Sequence, residues 1–220
     1  MNPDDARDEI CRVGRSLFER GYVHATAGNI SVKLEDGLGF LITPTDACLG
    51  FLDPAALAWV GANGAQRGGD PASKTLALHQ RIYAADTDAR CIIHTHSTHL
   101  VALTLAGVWR TDAVLPPITP YFVMKVGHVP LIEYRRPGDP ATAEAVAAAI
   151  AAARSIDRPL RAVLLDRLGP NVWHRTPAQA MATLEELDET ARVWLLAGRP
   201  ATPLDAALLH ELHATFWTRW

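Results

Sequence analysis

The chain has 220 residues, of which 49% are hydrophobic, and 21 basic and 24 acidic residues give it a formal net charge of −3. This length favours a single domain over residues 1–220 with one sizeable core. The even charge balance leaves no basic footprint for nucleic acid or for an anionic membrane surface. Three cysteines without C-x-x-C spacing, an acidic N-terminal segment and the lack of a long apolar run predict a cytoplasmic protein without a membrane span.

The N-terminal third alternates one helix with short apolar runs. A helix capped by Asp4 or Asp5 is predicted to run to about Arg20, with its apolar residues on one face. Two short strands and then a loop or hairpin follow, over residues 24–32, 39–46 and 61–73.

The middle of the chain predicts another helix, over Lys74–Ala85, for which Ser73 is a candidate cap. A strand over residues 90–96 leads into a helix over residues 97–106. Three prolines interrupt residues 115–126, which predicts an extended, irregular path at an edge of the sheet.

The C-terminal third predicts an alanine-rich helix over residues 138–153, a buried strand over residues 161–165 and a long helix over residues 176–196 with an acidic face in water. A short helix is expected in the last fifteen residues. Strands and helices mix without strict alternation, and no phosphate-binding glycine fingerprint follows a strand. We therefore predict an α/β fold of three layers, α/β/α, with a central mixed, mostly antiparallel sheet.

The segment C-I-I-H-T-H-S-T-H at residues 91–99 is the strongest candidate for chemistry. Side chains of a strand repeat every two residues, so His94 and His96 share a face and can share a metal ion. The alternative is that both rings hydrogen-bond to backbone at a strand end. His99 falls in the next helix, and His128 follows a glycine in a loop, where exposure is expected. Zinc needs three or four protein ligands, so this pair is incomplete alone.

Six motifs stand in a fixed order along the chain: TAGN from Thr26, ITPT from Ile42, PASKT from Pro71, IHTHS from Ile93, PYFVMKVG from Pro120 and RPGD from Arg136. Together they resemble the class II aldolase and adducin family. Within it, the segment Thr119–Pro140 resembles the 3-oxo-tetronate 4-phosphate decarboxylase branch.

The resemblance implies a homotetramer with interfacial active sites, a sugar-phosphate substrate, and a divalent metal, usually zinc, held by three histidines beside an acidic residue. His94 and His96 match two of those ligands, and Tyr121 matches a tyrosine that delivers a proton. The family's phosphate-binding positions correspond to Gly28, Asn29, Thr43, Thr45, Ser73 and Lys74. Any one of these six alone reads as ordinary turn or cap chemistry.

Two positions depart from the family pattern. Thr75 stands where the acid is expected, four residues before His79, and Leu168 stands where the third histidine is expected. A leucine cannot coordinate a metal, and a threonine hydroxyl is too weak an acid to replace a carboxyl group. His174 offers a replacement ligand if the chain turns after Leu168, and Asp166 offers another if the strand continues.

Three functions follow from this pattern. The first is metal-assisted decarboxylation of a phosphorylated 3-oxo-tetronate, in which Thr75 is tolerable as a catalytic-site residue because no base need remove a proton. The second is a catalytically silent, adducin-like binding or scaffolding protein. The third is an enzyme of the family repurposed for other chemistry.

Overall fold

The computed structural model describes residues 1–35, 37–198, 201–218 and 220. The strands of the described chain are β1 (Asn29–Lys33), β2 (Phe40–Ile42), β3 (Ala58–Val60), β4 (Gln66–Gly68), β5 (Cys91–His94), β6 (Leu131–Ile132), β7 (Ala162–Leu165) and β8 (Gly169–His174). Its α-helices are α1 (Pro3–Glu19), α2 (Leu76–Ala85), α3 (Thr98–Ala106), α4 (Pro120–Lys125), α5 (Pro140–Ser155), α6 (Pro177–Leu196) and α7 (Ala206–Phe216). Short 3₁₀ turns occupy Leu49–Phe51 and Pro54–Ala56.

In the described residues all eight strands join one sheet in the order β4-β3-β2-β1-β5-β8-β7-β6. Every neighbouring pair is antiparallel except β6 with β7. The predicted mixed, mostly antiparallel sheet is therefore confirmed.

The two faces of the sheet bury separate apolar clusters, because successive side chains of a strand point to opposite faces. Ile93 and Leu164 pack on the face covered by α1, α3, α4 and α6, whereas Ile92 and Val163 pack on the face covered by α2 and α5. This gives the predicted three layers. No described helix combines the length and the apolar character needed to cross a membrane.

Helix caps decide where the helices begin. Asn2, not Asp4 or Asp5, caps α1, since its side chain accepts a hydrogen bond from the backbone N–H of Asp5. The N-cap of α2 is Thr75 rather than Ser73. At the start of α6, Thr176 accepts from Gln179 N–H and Pro177 occupies the first turn, as the sequence predicts.

The prediction of an extended path over residues 115–126 is wrong at its C-terminal half. Residues Pro120–Lys125 form α4, in which Thr119 caps the backbone N–H of Phe122 and Pro120 lies in the first turn. Proline fits that position because the N–H it lacks would have no partner there.

Two further expectations fail in the C-terminal third. Asp188 of the acidic face of α6 is buried, and His99 Nδ1 lies 2.9 Å from its carboxylate. The strand β8 has no counterpart in the sequence prediction. It lies between β5 and β7, so the central part of the sheet depends on it.

Candidate active site

A cavity of about 230 Å³ opens where β1 begins and where β5 and β7 end, under the first turns of α2 and α5. Its polar and charged lining comprises Thr26, Asn29, Thr45, Asp46, Ser73, Lys74, Thr75, His94, His96, Arg136, Asp139 and Thr142. Leu78, Leu165 and Leu168 supply apolar wall. The cavity thus joins the histidine pair to most of the predicted phosphate-binding positions.

The two histidines converge at one side of this cavity. His94 is the last residue of β5, and its Nδ1 lies 2.8 Å from the carbonyl oxygen of Pro170, to which it donates. That bond leaves the Nε2 lone pair free, and Nε2 lies 3.1 Å from His96 Nε2. His96 lies beyond the strand end, yet its ring still meets that of His94.

Both imidazoles are held neutral. Burial, followed by the effect of His96, lowers the pKa of His94 to about 4. Burial also lowers the pKa of His96, with a smaller contribution from His24. Neutral rings with facing nitrogens are the state in which imidazole binds a metal ion. The pair therefore fits two positions of a shared metal site.

The third position of such a site has no ligand side chain. Within the described residues no three His, Cys, Asp or Glu side chains are placed to hold one metal ion. Leu168, which stands at the expected position of the third ligand, lines the same cavity as the two histidines. The donor set is therefore two imidazoles and falls one short of the three expected from the family pattern.

Neither candidate replacement ligand reaches the pair. In the register of β5 with β8, Asn171 lies opposite His94 while His174 lies opposite Cys91, about 10 Å away along the strand. His174 instead contacts Arg161. Asp166 pairs loosely with Arg167, at 4.0 Å, and joins no group of three ligands in the part of the chain that is described.

The predicted phosphate-binding positions divide into those that line the cavity and one that does not. Gly28, Asn29, Thr45, Ser73 and Lys74 all line it. Thr43 is fully buried, and its Oγ1 accepts a hydrogen bond from Ile30 N–H at 3.2 Å, so it stabilises the β1–β2 pair instead.

Gly28 and Lys74 illustrate how that end of the cavity is built. Gly28 has φ of +88°, and a Cβ there would lie 2.8 Å from the carbonyl oxygen of His94, so only glycine lets these backbones approach. The Lys74 ammonium lies 3.2 Å from the Asp46 carboxylate. Both are exposed, so this pair is weak and an anion can compete for the lysine.

Thr75 lies in the cavity wall, and its hydroxyl is 3.1 Å from the hydroxyl of Ser73. The two hydroxyls lie at the start of α2, where backbone N–H groups favour anions. Thr75 is thus placed to bind substrate but has no acid or base partner in the described residues.

Tyr121 lies outside this cavity. It is 60% exposed and lines a second, wider cavity near His174 and Arg161. His128, expected to be exposed, is half-buried, with its ring centroid 4.4 Å from that of Trp220. Tyr121 therefore lines a different cavity from the histidine pair.

Sequence reasoning did not assign a role to Arg136. Its guanidinium-bearing side chain lines the cavity and forms no ion pair within the described residues. The signal was available, because Arg136 opens the RPGD motif that contributes to the family resemblance. The motif also contains Asp139, whose carboxylate caps α5 by accepting from Ala141 N–H.

Beneath the cavity, His79 is fully buried between two polar side chains. Its Nε2 lies 2.6 Å from Asn29 Oδ1, and its Nδ1 lies 2.7 Å from Ser31 Oγ. Burial, with a smaller contribution from His94, lowers the pKa of His79 to about 3. His79 therefore stays neutral in the folded chain throughout the neutral range.

The low pKa of His79 predicts how stability depends on pH. Below its ordinary pKa of 6.5 the unfolded chain takes up a proton that the folded chain refuses until about pH 3, so stability falls as pH falls through this window. The loss from this residue is about 2 kcal/mol at about pH 5. Urea unfolding of the wild type and of His79→Gln at neutral pH and at about pH 5 measures it. The variant is expected to lose less stability, and equal losses would contradict the assignment.

Gly169 predicts a second stability effect, at the histidine pair itself. Its φ is +104°, and a Cβ there would lie 2.2 Å from the carbonyl oxygen of Thr95. We expect Gly169→Ala to cost at least about 2 kcal/mol of unfolding free energy, because a strained backbone conformation and a steric clash add. Thermal unfolding measures this cost, with Gly37→Ala as the control. Gly37 also has positive φ, but apart from its immediate chain neighbours no described residue has an atom within 4 Å of its added Cβ. Equal effects of the two variants would remove the close approach as the cause.

Comparison with known proteins identifies the class of fold and site. Residues 8–195 match the Class II Aldolase and Adducin N-terminal domain family. The chain therefore belongs to the class II aldolase and adducin family, which confirms the predicted resemblance.

Three individual proteins are similar to this chain over most of its length. The chain is 55% identical over 221 residues to a 3-oxo-tetronate 4-phosphate decarboxylase of Cupriavidus necator, covering 97% of each chain. It is 38% identical to an enzyme of the same name from Escherichia coli, covering 94% of this chain and 95% of that one. The crystal structure of YgbL from Escherichia coli superposes with a TM-score of 0.85 at 38% identity, covering 96% of this chain and 98% of YgbL. The two relatives from Cupriavidus necator and Escherichia coli that are named 3-oxo-tetronate 4-phosphate decarboxylase carry the name of the branch that residues 119–140 resemble.

Proposed function

We propose that this protein decarboxylates 3-oxo-tetronate 4-phosphate to dihydroxyacetone phosphate and carbon dioxide. The observation that carries the proposal is one cavity that joins a converging pair of neutral histidines to an anion-binding end. The support from similarity is the 55% identity to a decarboxylase of this name over nearly the whole chain.

The reaction needs little acid–base chemistry. The bond between the carboxylate carbon and C2 breaks, and its electron pair moves toward the C3 carbonyl, which gives an enediolate. A proton added at C2 then yields dihydroxyacetone phosphate. No proton is removed from carbon, so a threonine at position 75 is compatible with turnover.

The histidine pair is proposed to hold a divalent metal ion, zinc being the expected one. When bound, the ion would act as a Lewis acid that stabilises negative charge on the substrate oxygens. His94 and His96 are its ligands from this chain. The Pro170 carbonyl keeps His94 Nε2 free for that role.

Other residues of the same cavity are proposed to bind the phosphate. Asn29, Thr45 and Ser73 offer hydrogen-bond donors, and Lys74 offers a charge. Arg136 is a second cation in the same cavity. Two cations suit a substrate that carries both a phosphate and a carboxylate.

The proton at C2 is proposed to come from Tyr121 or from water. Because Tyr121 is exposed and lies outside its own chain's cavity, its participation requires the homotetramer with interfacial sites that the family pattern implies.

The three cysteines are free, which supports a reducing compartment, and we propose the cytoplasm as the location of the protein.

A second candidate is an adducin-like protein that binds a sugar phosphate without turning it over. Leu168 in the cavity wall and Thr75 at the acid position favour it, since both remove groups that other chemistry of the family would need. The third candidate function is that of a family enzyme repurposed for other chemistry.

The test is turnover of 3-oxo-tetronate 4-phosphate by the purified protein with added zinc, with glycerol-phosphate dehydrogenase and NADH reporting dihydroxyacetone phosphate. The matched substrate is unphosphorylated 3-oxo-tetronate, with released carbon dioxide measured directly for both compounds. We expect a kcat/KM lower by at least about 100-fold without the phosphate, because several charge-assisted hydrogen bonds are lost. Binding without turnover would support the silent member, and neither binding nor turnover would support repurposing.

A further inference from the structure

A hydrogen-bonded network of buried polar side chains lies under the anion-binding end of the cavity. The Tyr83 hydroxyl lies 2.9 Å from Ser31 Oγ, which contacts His79 Nδ1, and His79 Nε2 contacts Asn29 Oδ1. All four side chains are buried. Only Asn29 lines the cavity, and the proposed reaction makes no use of the other three.

The placed orientation of the Asn29 amide, with Oδ1 toward His79, sets the direction of the hydrogen bonds that follow from it. Asn29 Oδ1 can only accept, so His79 Nε2 carries the proton and donates. A neutral ring then has a lone pair on Nδ1, which accepts from the Ser31 hydroxyl. Because the one Ser31 proton is then directed at His79, the shorter contact of the Tyr83 hydroxyl, at 2.9 Å, is a donation to Ser31 Oγ, and the Arg90 carbonyl oxygen lies farther away, at 3.5 Å. Burial raises the pKa of Tyr83 well above its ordinary value, so this donor stays protonated.

The Asn29 end of this hydrogen-bonded network lies at the cavity. With its oxygen facing His79, Asn29 directs Nδ2 away from that ring, and no hydrogen bond from Nδ2 is found among the described residues. Asn29 itself lines the cavity. The opposite amide orientation would turn the oxygen toward the cavity and repel an anion there. Asn29 also lies directly opposite His94 in the β1–β5 register, so its amide sits beside the histidine pair.

We infer that His79 is a positioning residue, which fixes the Asn29 amide with its N–H groups toward the cavity so that they donate to the phosphate of the substrate. This inference rests on the proposed function for the identity of the anion. His79 itself does not touch the substrate. Its contribution passes through Asn29 alone.

A double-mutant cycle tests whether His79 acts through Asn29. Isothermal titration calorimetry with inorganic phosphate and with dihydroxyacetone phosphate measures affinity for the wild type, His79→Leu, Asn29→Ala and the double variant. Each single variant is expected to bind about tenfold more weakly, the effect of one hydrogen bond to a charged group. The double variant is expected to bind no more weakly than Asn29→Ala. His79→Gln, which keeps a donor toward Asn29, is expected to recover most of the affinity.

The control is Ile82→Ala, which removes a buried apolar side chain from the same helix and no hydrogen bond. It is expected to lower the unfolding temperature and leave phosphate affinity unchanged. If His79→Leu does not fold, Ser31→Ala replaces it in the cycle, since it removes the hydroxyl that holds His79 Nδ1 and so keeps the ring oriented toward Asn29.

Three results would overturn the inference: unchanged affinity in His79→Leu, losses that multiply fully in the double variant, or no phosphate binding by the wild type. Because the calorimetry needs no turnover, a failed decarboxylase assay leaves it interpretable. Conversely, if the protein decarboxylates the substrate but the losses of phosphate affinity multiply in the double variant, the positioning role is wrong and the proposed function is unaffected.

Discussion

Replacing His94 by alanine is expected to lower kcat/KM for decarboxylation by more than about 100-fold, because loss of mere orienting partners of a metal ligand already costs 10- to 100-fold. His94 carries one of two converging nitrogens and is itself oriented by Pro170. Metal content measured by plasma mass spectrometry, after purification without a histidine tag, is expected to fall with activity.

The matched controls separate this loss from unfolding. His96→Ala removes the other nitrogen from a half-buried position and is expected to lose metal and activity with a smaller loss of stability. His174→Ala removes a histidine at the far end of the same strand pair and is expected to retain both. If His94→Ala keeps its metal while His174→Ala loses it, the assignment of the site is wrong.

Replacing Leu168 by histidine is expected to strengthen zinc binding. Leu168 lines the same cavity as the histidine pair, so an imidazole there is expected to supply the third donor that the described chain lacks. Three protein ligands are the usual set of a catalytic zinc site. Zinc affinity is expected to rise by at least about tenfold, since a full ligand should outweigh the 10- to 100-fold effects of outer partners.

Competition with a fluorescent zinc chelator measures this affinity. Leu168→Asn is the control, because it introduces a polar side chain of similar size without an imidazole. An equal affinity in Leu168→His and the wild type would show that position 168 does not face the pair. A gain in both variants would point to polarity rather than coordination.

Local patterns predicted the parts of this fold that local chemistry determines. The N-terminal signal Thr176–Pro177 located α6, and the two-residue spacing placed His94 and His96 on one side of the chain. Three prolines in residues 115–126 misled the prediction, because Thr119 followed by Pro120 starts a helix even in a proline-rich segment.

Long-range partners account for what the sequence could not predict. The sequence pattern predicts no role for His79, yet its ring contacts residues 48 and 50 positions away in the chain. Thr43 has the residue type of a phosphate ligand, but its hydroxyl is occupied by the backbone of the neighbouring strand. Which hydroxyl faces a cavity depends on strand register, and register is fixed by partners distant in sequence.

The most direct test of the proposed function is the fate of the carboxyl carbon. Substrate labelled with ¹³C at the carboxylate, incubated with the wild-type protein and zinc, is expected to release labelled carbon dioxide and dihydroxyacetone phosphate in equal amounts, with release nearly abolished in His94→Ala. Dihydroxyacetone phosphate without labelled carbon dioxide, or equal release from the two proteins, would contradict decarboxylation at the His94–His96 site.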